Sequence, residues 1–179
     1  MLLLKKEPRR LSFTPTTLEF LLIISTEMTS TMIQSFRKHE DMILVDSNIL
    51  IYAINTSSPK SSEARRFLQS HRSTLCIAQQ NILETLRVIT HNNFPNPMKI
   101  DQALKVVLDI VSNFPIITPS ADTLAVFLEL SQKYNFTGKM LFDVYLVATA
   151  LGDGIRTIAT DNEKDFRKFE QIEVLNPFR

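Results

Sequence analysis

The sequence has almost no cysteine and very little glycine. Its single cysteine, Cys76, cannot form a disulfide within the chain, and a cysteine-based zinc site is excluded as well. Three glycines are present and none follows the first expected strand, so the glycine-rich loops of P-loop and dinucleotide-binding proteins are absent. Because Cys76 lies in an apolar run, we expect a buried, unreactive thiol. These features fit a cytoplasmic protein.

Long apolar runs and an excess of charge are also missing. The apolar stretch at 18–24 is too short to span a bilayer, and no convincing signal-peptide cleavage site follows it, so we expect no membrane role. The formal net charge is +1, and residues 42–179 carry fourteen acidic and fourteen basic residues. Any contact with nucleic acid must therefore be local, or come from a second subunit, because a neutral domain exerts no general attraction.

The chain divides at about Met42, where the first well-formed strand begins. Met42 could itself be the natural start, which would make residues 1–41 an extension or an over-long gene start. We expect that extension to be weakly ordered and to take no part in a functional site. Residues 42–179 are long enough for one domain with a real core, given a hydrophobic fraction of 44%.

Short apolar segments alternate with helical stripes throughout residues 42–179. This alternation predicts an α/β fold, a three-layer α/β/α sandwich with a mostly parallel central sheet. The expected strands are 42–46, 74–78, 114–118, 156–160 and 173–176, and the expected helices are 49–54, 63–70, 80–90, 98–112, 120–134, 139–151 and 162–169.

Two groups of acids follow expected strands. Asp46 ends the first strand, and Asp161 and Asp165 come just after the fourth. Open α/β sheets bind their ligands beyond the carboxyl ends of the strands, so these positions favour a functional site. A simple helix-capping role is the alternative interpretation for Asp46 and Asp161.

Two further acids lie within helices. Asp143 interrupts an almost wholly apolar helix, and a buried carboxylate is costly unless a cation, hydrogen-bond donors or a metal compensates it. Glu84 lies beside an apolar stripe, where a solvent-exposed glutamate is the simpler interpretation.

Taken together, these acids predict a cation site. Carboxylates gathered at one sheet edge raise each other's pKa, and a divalent cation would neutralise them. A set of oxygen ligands suits Mg²⁺ or Mn²⁺. The three histidines are scattered and none stands among these acids, so we expect them at the surface; they are His39, His71 and His91.

Four segments resemble the motifs of the PIN-domain family, and they occur in the family's order. They are Ile43–Tyr52, Asn81–Leu86, Phe142–Ala150 and Ile158–Phe166. The resemblance covers about residues 42–178, and the small size is similar to the toxin component of VapBC-type toxin–antitoxin pairs.

The resemblance implies a Mg²⁺- or Mn²⁺-dependent ribonuclease that hydrolyses RNA phosphodiester bonds, with an antitoxin partner and a homodimeric state. It implies catalytic and metal-binding roles for Asp46, Glu84 and Asp143. A fourth ligand remains open among Asp161, Asn162 and Asp165. The residues that orient the first acid would be Ser47, Asn48 and Thr160. Arg87 and Lys139 could contact phosphate, and a salt bridge with a nearby acid is an equally good interpretation of each.

Other functions remain as alternatives. A PIN-like nuclease that processes RNA without being a toxin, and a non-catalytic RNA-binding module, both fit the same fold. A phosphatase of the haloacid-dehalogenase type would need a second acid two residues after Asp46, where this chain has Asn48.

Overall fold

The computed structural model describes residue 39 and residues 41–179, and these contain five strands and seven helices. In chain order the elements are β1 (Ile43–Val45), α1 (Ser47–Ile54), α2 (Ser61–Ser70), β2 (Leu75–Ala78), α3 (Gln79–Ile89), α4 (Ile100–Asn113), β3 (Ile116–Ile117), α5 (Thr123–Tyr134), α6 (Met140–Gly152), β4 (Thr157–Ala159), α7 (Glu163–Phe166) and β5 (Glu173–Leu175).

The strands form one sheet in the order β3-β2-β1-β4-β5, and every neighbouring pair is parallel. The central strand is β1, in which Leu44 pairs with Cys76 of β2 on one side and with Ile158 of β4 on the other. The expected α/β class with a largely parallel sheet is confirmed, and the sheet is parallel throughout.

Helices cover both faces of the sheet, because successive strand residues point to opposite sides. Leu44 packs in a core cluster that includes α6 residues such as Val147. The next residue, Val45, packs in a second cluster with Phe67 of α2 and Ile110 of α4. The two cores make the three-layer sandwich that the sequence predicted.

Several elements are shorter than the sequence predicted: helix α5, for example, begins at Thr123 instead of residue 120, and β3 and α7 are shortened most in proportion to their length. Strand β3 spans two residues, since Pro115 has no N–H to donate and only its carbonyl oxygen joins the ladder, accepting from the Ile77 N–H at 3.0 Å. Helix α7 ends at Phe166 instead of Phe169. By contrast, α3 begins directly after β2 with no intervening loop, which brings Glu84 close to the sheet edge.

Cys76 is buried in β2, and burial raises the pKa of its thiol to about 12, as expected for an inert core cysteine. Two histidines, His71 and His91, are exposed as predicted, but His39 is partly buried with its Nδ1 3.0 Å from Asp153. Across the described residues, no helix is both long and apolar enough to cross a membrane. We expected residues 1–41 to be weakly ordered. Apart from residues 39 and 41, these positions lie outside the part of the chain that the structure describes.

Candidate active site

The candidate site lies at the carboxyl edge of the sheet. Asp46 directly follows the central strand β1, and Asp161 follows β4 by two residues. Glu84 lies in α3, which begins where β2 ends, and Asp143 lies in the first turn of α6. The parallel sheet therefore gathers acids from four separate segments at one edge.

Three neighbours hold the Asp46 carboxylate, which is only 8% exposed. Asn48 Nδ2 and Thr160 Oγ1 donate to its Oδ2 at 2.6 and 2.7 Å, and Ser47 Oγ lies 3.3 Å from its Oδ1. These are the three side chains to which the sequence assigned an orienting role. Because Asn48 also donates to Thr160 Oγ1 at 3.0 Å, the network joins the start of α1 to the end of β4.

Glu84 is linked to Asp46 through Ser47, whose hydroxyl donates to Glu84 Oε2 at 2.8 Å. The other oxygen of Glu84 accepts from Gln80 Nε2 at 2.8 Å, and the same amide donates to the Phe142 carbonyl oxygen at 3.0 Å. Gln80 thus connects Glu84 to the residue before Asp143 and aligns α3 with α6.

Burial and mutual repulsion act on the two innermost acids. Burial, opposed by the Thr160 hydrogen bond and reinforced by the charge of Glu84, raises the pKa of Asp46 to about 6. Burial also raises the pKa of Asp143 to about 6, and the charges of Asp46, Asp165 and Glu84 add to that effect. The charges of Asp46, Glu84 and Asp165 therefore all act on Asp143. Among the residues that the structure describes, no cationic side chain forms a salt bridge with Asp46.

The side chains fit a hydrated divalent cation better than a closed protein cage. Within the described residues, no three acidic, histidine or cysteine side chains lie close enough together to hold a metal ion. Mg²⁺, however, commonly uses one or two carboxylates and keeps several waters. The oxygen-only donors and the raised pKa values of Asp46 and Asp143 match that mode of binding.

A protein-family model described as "PIN domain" matches residues 43–172. The chain belongs to the PIN-domain family.

Several solved structures are similar to this PIN domain. They include VapBC2 from Rickettsia felis bound to a promoter DNA fragment, which is 20% identical, has a TM-score of 0.58 and covers 75% of this chain and 98% of that one. FitAcB from Neisseria gonorrhoeae is 18% identical, with a TM-score of 0.60 and coverage of 77% and 99%. VapC20 from Mycobacterium tuberculosis, a sarcin-ricin loop cleaving toxin, is 14% identical, with a TM-score of 0.56 and coverage of 73% and 98%. No curated protein sequence matches this PIN domain.

The candidates for the fourth ligand lie in different surroundings. The Asp161 carboxylate accepts from Lys60 Nζ at 2.5 Å and from Tyr52 Oη at 2.9 Å, both through Oδ2. Partial burial alone would raise the pKa of Asp161, but the hydrogen bonds from Lys60 and Tyr52 hold that pKa below its ordinary value. The charge of Asp161 is therefore already compensated within this PIN domain.

Asp165 and Asn162 form a separate pair on the other side of the site. Asn162 Nδ2 donates to Asp165 Oδ2 at 2.9 Å, and Lys168 Nζ lies 3.0 Å from Oδ1. The bond from Asn162, with that from Lys168, lowers the pKa of Asp165. Asp165 is nevertheless the post-β4 acid whose charge reaches Asp143.

The two candidate phosphate contacts, Arg87 and Lys139, are both exposed. Neither makes a salt bridge to another residue in the described part of the chain. The salt-bridge interpretation of these two residues is therefore wrong for that part of the chain.

Sequence reasoning missed three side chains of the site. Gln80 precedes Glu84 by four residues, a spacing at which helical side chains meet, so its contact could have been anticipated. Tyr52 and Lys60 gave no such signal, since each reaches Asp161 across more than a hundred residues of sequence.

The raised pKa of Asp46 predicts that the metal-free protein loses stability as the pH rises. The folded state holds a proton on Asp46 up to about pH 6, whereas the unfolded state releases it near the ordinary aspartate pKa of 3.8. The stabilisation that protonated Asp46 gives the folded state is therefore fully present below the pKa of the unfolded state. It is lost as the pH rises through the pKa of the folded state. Melting temperatures measured in a chelator should fall between about pH 4 and pH 7 and then level off.

The Asp46→Asn variant is the control for this pH effect, because it keeps the shape of the side chain and removes its titration. Its melting temperature should fall less over the same pH range than that of the parent protein. An identical pH dependence of the melting temperature in both proteins would contradict the raised pKa assigned to Asp46.

Proposed function

We propose that this PIN domain is a Mg²⁺- or Mn²⁺-dependent endoribonuclease that hydrolyses RNA phosphodiester bonds, and that it is the toxin of a type II toxin–antitoxin pair. The observation that supports this most is the buried Asp46, which is held in one orientation by hydrogen bonds from Asn48 and Thr160. Within the described residues, no cationic side chain forms a salt bridge with it. Family membership and the likeness to VapBC structures support this reaction class, and we propose a cytoplasmic setting for it.

In the proposed reaction, Asp46 and Asp143 would hold the cation, and Glu84 would accept hydrogen bonds from the side of α3. A divalent cation bound there would make a water molecule a better nucleophile and would stabilise negative charge on the phosphate oxygens. Thr160 and Asn48 keep Asp46 aimed into the site. The exposed Arg87 and Lys139 remain candidates for contacts to the RNA backbone.

A non-catalytic RNA-binding module explains this geometry less well. Keeping a carboxylate buried and uncompensated costs stability, and a module without catalysis gains nothing from that cost. An apolar or amide side chain at position 46 would serve such a module better. The retained Asp46, Glu84 and Asp143 therefore favour the nuclease.

The first test compares RNA cleavage by the wild type and by Asp46→Asn in Mg²⁺ or Mn²⁺. Asn48→Ala removes a residue that supports the cation ligand, and it should lower the cleavage rate by roughly ten- to hundredfold. Asp46→Asn removes the ligand itself and should lower the rate further. Asp101→Asn, on the exposed first turn of α4, should cleave as the wild type does. Equal cleavage by wild type and Asp46→Asn would defeat the proposal.

The partners can be tested by the mass of the assembly in solution. The exposed side chains of Leu83 and Phe142, each 63% accessible, line a groove of about 490 Å³ between α3, α5 and α6. Apolar surface of this kind is typical of an interface, and we assign it to a homodimer. Light scattering should give a dimer that Leu83→Lys converts to a monomer.

The same measurement tests the antitoxin. Co-expression with the product of an adjacent small reading frame should give a larger complex of defined mass and no RNA cleavage. A wild-type monomer would exclude the homodimer. Failure to associate with the adjacent product would favour the RNA-processing alternative over the toxin.

A further inference from the structure

We infer that Lys60 is an RNA-phosphate contact at the edge of the site, and that Asp161 anchors this lysine instead of binding the cation. The inference rests on the proposed nuclease function and concerns the same edge of the sheet. The sequence assigned neither role.

Lys60 is connected to the buried acid by a short chain of hydrogen bonds. Its Nζ lies 2.5 Å from Asp161 Oδ2, the Asp161 N–H donates to Asn48 Oδ1 at 3.3 Å, and Asn48 Nδ2 donates to Asp46 at 2.6 Å. The ammonium group is therefore two residues removed from the carboxylate proposed to hold the cation. An RNA whose reacting phosphate lay at the cation site proposed beside Asp46 would bring its neighbouring phosphates towards this region.

Two aromatic rings hold the ammonium group in place. Lys60 Nζ lies 5.3 Å from the ring centre of Tyr52 and 5.0 Å from that of Phe178, distances at which a cation is attracted to a ring. The two rings also meet edge to face at 5.6 Å. A freely rotating lysine loses rotamer entropy when it binds a ligand. A lysine that is already confined in this way loses less entropy when it binds a phosphate.

The ammonium group keeps capacity for a ligand. An ammonium has three N–H donors, and Asp161 Oδ2 accepts from one of them. The Lys60 side chain is 37% exposed, while Asp161 is 20% exposed. Lys60 can therefore donate to a phosphate oxygen while Asp161 still holds it.

Asp161 is better suited to anchoring than to metal binding. Its Oδ2 already accepts from both Lys60 and Tyr52, and burial together with the Asp161 carboxylate keeps the Tyr52 hydroxyl protonated as a donor by raising its pKa. A cation at this carboxylate would be repelled by the Lys60 ammonium group, which lies against its Oδ2. The domain is neutral overall, so a local cation of this kind is what the binding of RNA requires.

The test measures binding of a short fluorescein-labelled single-stranded RNA of random sequence to the Asp46→Asn protein, with Lys60→Gln added or not. Loss of one phosphate contact should weaken binding by about tenfold at low salt, as for one charge-assisted hydrogen bond. It should also reduce the slope of log affinity against log salt by about 0.7. Lys60→Arg should restore both values, because it keeps the charge.

Lys133→Gln is the matched control. Lys133 pairs with Glu170 at 2.8 Å and lies 4.9 Å from the ring centre of Tyr134, so it repeats the lysine, acid and aromatic arrangement. Glu170 precedes β5 and therefore lies towards the amino ends of the strands, away from the site. This variant should change neither the affinity nor the slope.

The Asp161→Asn variant distinguishes a phosphate contact by Lys60 from an ion pair that only stabilises the fold. It also provides a second test if Lys60→Gln does not fold. Because asparagine keeps an acceptor for Lys60 and removes only the negative charge beside it, RNA binding should become tighter. Mn²⁺ affinity, measured by calorimetry on the otherwise wild-type protein, should be unchanged. A loss of Mn²⁺ affinity would overturn the anchoring role.

An unchanged salt slope in Lys60→Gln would overturn the phosphate contact and leave the nuclease proposal standing. No RNA binding by the Asp46→Asn parent would contradict both.

Discussion

The burial of Asp46 at the end of the central strand is the constraint on which the rest of the site depends. Strand β1 has neighbours on both sides, so the residue that follows it is enclosed by β2 and β4 and is withdrawn from water. A carboxylate in that place needs donors, and it receives them from Asn48 and Thr160, with the Ser47 hydroxyl 3.3 Å away. Those donors also bind the start of α1 to the end of β4, so the support of one acid also shapes the surrounding edge.

The acids at this edge fall into two kinds. Asp46 and Asp143 have raised pKa values and stand where burial and repulsion make a bound cation favourable. Asp161 and Asp165 each pair with a lysine and have lowered pKa values. We interpret the first kind as ligands of the cation and the second as anchors of positive charge around it. A neutral domain can in this way present a negative centre with cations close by.

Much of this architecture follows from the sequence. The period of the apolar residues predicted all five strands and all seven helices, because each buries one face against the sheet. The position of Asp46 after the first strand and the apolar surroundings of Asp143 marked them as site residues. The short β3 also has a visible cause in Pro115, although its length was not predicted.

What the sequence could not supply is contact between side chains far apart in the chain. The pair of Lys60 with Asp161 depends on how the segment before α2 lies against the loop after β4, and no local pattern encodes that approach. For the same reason, Asp161, Asn162 and Asp165 could not be told apart. Each follows the same strand. Asp161 pairs with Lys60 through tertiary packing, whereas Asp165 pairs with Lys168 only three residues further on, a local contact that does not by itself show which residue faces a cation.

The central claim is that the uncompensated acids, and not Asp161, bind the divalent cation. The most direct measurement is anomalous X-ray scattering from crystals of the protein grown with Mn²⁺. We predict one Mn²⁺ peak in contact with the carboxylates of Asp46 and Asp143, with the pair of Lys60 and Asp161 intact. A peak coordinated by Asp161, or no peak at Asp46 in crystals that hold Mn²⁺ elsewhere, would contradict the claim.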